Sequence, residues 1–229
     1  MNIKILIENI IENATENASI AAMDMSYQEK ANTITHGIGA ILSIAGFIVL
    51  LFMAITKGNI WQIISFSIYG STLVILYLMS TIYHGLLDSR IKRIFQVFDH
   101  SAIYLLIAGS YTPITLISLR GPWGWTLFGL VWGIALIGIL MKAFFFHKTQ
   151  VVSVILYLVM GLLIVIAIRP LLMAVPIKMI ILIIAGGIFY LLGIFFFLAP
   201  KIPYHHTIWH LFVLGGSITH FLAILLYLT

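Results

Sequence analysis

His206 and His210 stand four residues apart, so on a helix they share one face and can point two imidazoles at one ion. His84 supplies a third imidazole and Asp99 a carboxylate, both from earlier in the chain. Three imidazoles and a water form a zinc shell of the catalytic type, in which the metal lowers the water's pKa from about 15.7 toward ~7. Imidazole ligands also suit copper and nickel, so ligand type alone leaves the metal open. The chain has no cysteine, which removes thiolate sites and disulfides. The His-x-x-x-His pair lacks the adjacent glutamate of zinc peptidases, so a general base has to come from elsewhere, and Asp99 is the candidate. Ser80 lies one turn before His84. It is read equally as a site hydroxyl and as a membrane serine bonded to its own backbone.

These residues meet only if the chain folds across a membrane. Hydrophobic residues make up 62% of the 229 and charged residues 8%, and the mean hydropathy is +1.14, a composition foreign to soluble domains. Apolar runs near the ~20 residues needed to cross a bilayer recur at 33–55, 60–83, 97–119, 122–141, 150–168, 177–199 and 206–228. The expected fold is therefore an all-α bundle of seven transmembrane helices, without internal repeats. Breaks between spans carry turn residues: Lys57-Gly58-Asn59, Asp88 to Arg93, Arg120-Gly-Pro122, His147-Lys148-Thr149, Arg169-Pro170 with Pro176, and Pro200 to Pro203.

Residues 1–32 differ from the rest. Five of the seven acidic residues fall there (Glu8, Glu12, Glu16, Asp24 and Glu29), and Glu8 and Glu12 interrupt the apolar start, against a signal peptide. This segment reads as a cytoplasmic arm with room for a short interfacial helix, and 33–229 as the membrane domain. The sequons at Asn13 and Asn17 are set aside, because the topology puts them on the wrong side.

The formal charge of +5 is spread singly over the ends of apolar runs, which reads as topology rather than nucleic-acid binding. With the N-terminus inside, that side receives Lys4, Lys30, Arg90, Lys92, Arg93, Lys142, Lys148 and Lys201, and the other Lys57, Arg120, Arg169 and Lys178. The bias favours a cytoplasmic N-terminus and an outer C-terminus in the cell membrane.

The second span then ends inside at Ser80 to His84, while the third starts inside at Asp99-His100 and the seventh at His206. Distant segments thus bring His84, Asp99, His206 and His210 to one level near the cytoplasmic face, where ionisable groups in apolar surroundings are usually functional. The rival for Asp99 is a surface ion pair with Arg93 or Lys92. His36, His100, His147 and His205, taken singly, read as structural. His220 lies about 15 Å beyond His210 along a helix, too far to share its ion. Gly109-Ser-Tyr-Thr-Pro113 reads as packing and a kink.

Together, Ser80-x-x-x-His84, the run from Asp99 to Pro113, His206-x-x-x-His210, His220-Phe221, and Glu29-Lys-Ala-Asn32-Thr-Ile-Thr-His36-Gly-Ile-Gly39 resemble the haemolysin III-related branch of the progestin and adipoQ receptor family. The resemblance covers roughly residues 27–229. It implies seven helices, a cytoplasmic N-terminus, and one zinc ion on His84, His206 and His210, with Asp99 and Ser80 beside it. The wider superfamily includes adiponectin receptors and alkaline ceramidases, which implies hydrolysis of a lipid amide, and bacterial members are linked to membrane lipid homeostasis.

The leading expectation is a zinc-dependent hydrolase of a lipid amide or ester that arrives laterally between helices, with Asp99 moving the proton and Ser80 bonding the oxyanion. A membrane lipid is the expected partner. The alternative is a membrane-state sensor or receptor-like protein whose metal staples three helices. A pore-forming haemolysin fits less well, because no charged stripe runs through the spans. A retinal protein is excluded by the absence of lysine after His206.

Overall fold

The computed structural model describes the backbone of residues 3–229 and the side chains of residues 27–229. The described chain is helical throughout, without strands: α1 (Ile3–Lys57), α2 (Ile60–Gly85), α3 (Ser89–Pro113), α4 (Pro122–Phe145), α5 (Gln150–Leu162), α6 (Ile168–Ala174), α7 (Ile177–Phe197) and α8 (His205–Tyr227). Among the described residues, six stretches are long and apolar enough to cross a bilayer: Tyr27–Lys57, Ile60–Gly85, Ser89–Ser118, Pro122–Ala174, Ile177–Phe197 and His205–Tyr227.

The difference from the expected seven lies in Pro122–Ala174, a helical run of 53 residues. Drawn straight it would extend ~80 Å, far beyond a bilayer. It is not straight. Phe145 (φ −135°, ψ 37°) and Thr149 (φ −110°, ψ 12°) flank a 3-10 turn over Phe146–Thr149. Beyond it, α5 lies back against α4, with Met160 buried in one cluster with Val131 and Ala135. Tyr104 of α3 packs over Gly138 on α4 and also meets Tyr157 on α5, ring centroids 4.5 Å apart. The expected break at Arg169-Pro170 is instead inside α6, and the helix ends at Val175-Pro176.

Local chemistry sets the other turns. Asn59 caps α2 through a capping box with Gln62, and Asp88 caps α3 by accepting from the Arg90 and Ile91 amides. Gly121 takes φ 139° ahead of Pro122, a conformation that favours glycine. Before α8 the φ of Tyr204 is 56°, the left-handed region that bulky residues rarely occupy. This strained residue sets the direction in which α8 starts, and with it the aim of His206.

Helix α3 is central, with 67% of its apolar window buried, whereas the 122–174 run and α7 bury 17% and turn most of their surface outward. Helices α2 and α3 approach closely where Gly109 backs onto Thr72, since a Cβ at 109 would collide with that side chain. Pro113 closes α3 and a π-helical turn follows at Ile114–Ser118, so the glycine and proline of this segment do serve packing and bending.

The proposed arm of residues 1–32 lies mostly outside the residues whose side chains are described, including Glu8, Glu12, Glu16, Asp24 and both sequons. Helix α1 runs on through position 32, and Glu29 and Asn32 reach the end of α2.

Candidate metal centre

His84 sits in the last turn of α2, and His206 and His210 in the first turns of α8. Each offers one ligand nitrogen, and these atoms all lie within 4.8 Å of one another. The ring centroids of His206 and His210 are 4.6 Å apart, and each is 5.0 Å from that of His84. Three imidazoles arranged tetrahedrally at about 2.0–2.1 Å from a metal hold their centroids roughly 5 Å apart, so the triangle has the right size.

The hydrogen bonds aim the rings. Glu29 Oε2 lies 2.7 Å from His84 Nδ1, and an ionised carboxylate can only accept, so Nδ1 carries the proton and the lone pair is on Nε2. That Nε2 is buried with no hydrogen-bond partner among the described residues, which fits a metal ligand. Such carboxylate–histidine pairs orient metal ligands. Thr35 Oγ1 donates to the carbonyls of Ala31 and Asn32, so its oxygen is left to accept from His210 Nδ1 at 3.3 Å, which frees His210 Nε2 in the same way. Asn32 Oδ1 accepts from Thr207 Oγ1 at 2.6 Å and ties α1 to α8 beside the rings.

Asp99 is buried near the middle of α3, which starts at Ser89, and its Oδ2 lies 3.3 Å from His100 Nδ1. Its carboxylate contact among the described residues is this histidine, whose Nδ1 also lies 2.9 Å from the Gln96 carbonyl, and not Arg93 or Lys92; Lys92 instead approaches Glu29 at 3.4 Å. Ser80 is fully buried and its hydroxyl has no hydrogen-bond partner, so it is not spent on its own backbone.

His36, read singly as structural, is a fourth imidazole of this cluster. It lies flat on His210, with centroids 3.5 Å apart and planes 14° from parallel, and neither of its nitrogens has a partner. Sequence spacing could not show this, since α1 carries no second histidine to pair with it. Of the remaining histidines, His205 lies with Nδ1 3.2 Å from the Phe196 carbonyl, His147 is exposed, and His220 holds the Ile183 carbonyl at 3.0 Å, away from the triad.

Ser80, Asp99, His36, His206 and His210 all face the polar end of a cavity of about 340 Å³. The rest of its wall is almost entirely apolar, drawn from α2, α3, α5, α7 and α8. Helix α7 packs mainly on α8, and α5 and α7 have little direct packing on each other where both line the cavity. Gly161 and Gly187 face the cavity from either side of this slot, and a Cβ at either position would meet nothing within 4 Å.

The helices and this centre define a multi-pass membrane protein with a buried histidine triad able to hold a metal ion. Residues 26–221 match the haemolysin-III related family, and the chain belongs to it. Relatives include hemolysin-3 of Bacillus cereus, 48% identical over 87% of this chain and 91% of its own length. The hemolysin-3 homolog of Bacillus subtilis is 46% identical over 87% of this chain and 94% of its own. The human monocyte to macrophage differentiation factor is 29% identical over 88% and 85%. No solved structure gives a significant match.

Proposed function

We propose that this protein is a zinc-dependent hydrolase of a membrane lipid, acting on an amide or ester bond at the inner leaflet and serving membrane lipid homeostasis. One observation supports the reading: the His84, His206 and His210 triad adjoins an apolar cavity of about 340 Å³ whose polar end includes His206 and His210, and α5 and α7 on its wall have little direct packing on each other. The volume lies in the range of ligand cavities, and its lining suits a hydrocarbon chain.

His84, His206 and His210 would hold the ion. When bound, zinc supplies a Lewis acid and makes a water acidic enough to attack near neutral pH. Asp99 is the group that takes the water's proton and returns it to the leaving nitrogen or oxygen, with His100 Nδ1 3.3 Å from its carboxylate. Ser80, with its hydroxyl uncommitted, donates to the oxygen of the lipid carbonyl as charge develops there. Glu29 and Thr35 keep the ligand rings aimed. The apolar wall holds the chain and excludes bulk water.

The doubling back of α5 on α4 supports reading Pro122–Ala174 as two crossings, hence seven in all. With the lysine and arginine bias this gives a cytoplasmic N-terminus and an outer C-terminus. The test is detergent-purified protein, its zinc content measured, given lipid amides and esters with and without chelator. Turnover that stops on chelation and returns with zinc is the expected result. A fully zinc-loaded protein that turns over none of these lipids sinks the proposal.

A further inference from the structure

We propose that Lys142 anchors the anionic end group, a carboxylate, of an amphiphile lying in the cavity. Lys142 is fully buried at the end of α4. Its ammonium donates to Gln150 Oε1 at 3.2 Å across the α4–α5 turn and stands 4.8 Å from the centre of the Phe146 ring. An ammonium has three donors, and these contacts supply one neutral acceptor and an aromatic face. The carboxylate contacts among the described residues join Glu29 to His84 and Lys92, and Asp99 to His100; none includes Lys142. Buried charges are ordinarily paired, and intramembrane ones face a partner or a functional cavity.

A cavity is there. Lys142, Gln150, Ser153 and Val154 line a recess of about 20 Å³ whose other walls, including His100, Tyr157 and Trp209, are shared with the large cavity. The recess is an annex to the lipid chamber. Ser153 and Tyr157 already donate their hydroxyl protons to the Thr149 and His100 carbonyls, so neither supplies the missing negative charge. The space takes one or two water-sized groups, which suits carboxylate oxygens and not a phosphate ester. A chain in the chamber reaches Lys142 with its charged end while its body stays among apolar side chains. The inference rests on the chamber holding a lipid, not on hydrolysis or on metal.

Trp209 lines both spaces, so bromine quenching of its fluorescence reports occupancy, with a Trp209→Phe variant to subtract the other tryptophans. Purified protein in neutral detergent, chelator-treated or zinc-loaded, is titrated with 9,10-dibromostearate, its methyl ester, and the corresponding dibromo-octadecyl phosphate. The acid is expected to bind about tenfold or more tighter than the ester in both metal states, as a charge-assisted contact requires. Lys142→Met removes that preference and leaves ester binding unchanged, whereas Lys142→Arg retains it. Equal binding of acid and ester by the wild type, which needs no variant to fold, overturns the proposal. So does a preference that survives Lys142→Met, or tighter binding of the phosphate. Failure of lipid turnover leaves this result untouched, so the two readings fall separately.

Discussion

The Glu29 carboxylate accepts a hydrogen bond from His84 Nδ1 at 2.7 Å, so a residue in the middle of one helix decides which nitrogen the end of another presents to an ion. Lys92, 3.4 Å from the same carboxylate, fixes it from the other side.

Glu29→Ala is accordingly expected to weaken metal binding about 10- to 100-fold while leaving all three ligands in place. Competition against a chromophoric chelator measures it. Unchanged affinity in a folded variant means that the 2.7 Å contact does not orient His84.

Metal content of the His84→Ala, His206→Ala and His210→Ala variants should fall well below that of wild type, with His220→Ala retaining the wild-type value. Elemental analysis of purified protein reads this directly. A His220 variant that loses metal alongside the triad would place the ion elsewhere.

Asp99→Asn separates chemistry from stapling. As the proton carrier, Asp99 should cost about 10²- to 10⁴-fold in turnover on replacement, with metal content and thermal stability kept. A metal that only pins helices together predicts the reverse pattern, in which His84→Ala lowers the melting temperature and Asp99→Asn changes no function.

The sparse packing between α5 and α7 makes a steric prediction. A Cβ at Gly161 or Gly187 meets nothing within 4 Å, so leucines at both positions start from open space and add bulk on either side of the slot. Turnover of long-chain lipid should drop several-fold while metal content and melting temperature stay put. An unaffected rate would move the route of access to another face.

Close packing at Gly109 gives the opposite case. Gly109→Leu must push α2 from α3 at Thr72, with a cost of about 1–3 kcal/mol or more from overpacking, whereas Gly133→Leu, facing open space, is expected to be neutral. Thermal unfolding in detergent compares the two.

Much of this centre is readable along the chain, because hydropathy places the ends of spans and His84, His206 and His210 stand at those ends. What escaped depends on how helices rotate against one another. Glu29 and Lys30 are charged, so an apolar window closes before them, yet a helix does not stop where hydropathy does, and α1 carries Glu29, Asn32 and Thr35 onto the site. His36 has no partner at helical spacing, and only the crossing of α1 with α8 lays it on His210. Lys142 passes for one more inner-side positive charge until its burial is seen. The Arg169-Pro170 pair looks like a break, but proline is tolerated in the first turn of a helix, and that is where α6 places it.

Two corners of the histidine triangle belong to one rigid rod, α8, and the third to α2. The 4.6 Å side is therefore fixed by the helical repeat, while one 5.0 Å side lengthens as the other shortens whenever one rod slides past the other. Grip on the ion is thus a ruler for a single degree of freedom, the register between these two helices, and is indifferent to motion of the outlying ones.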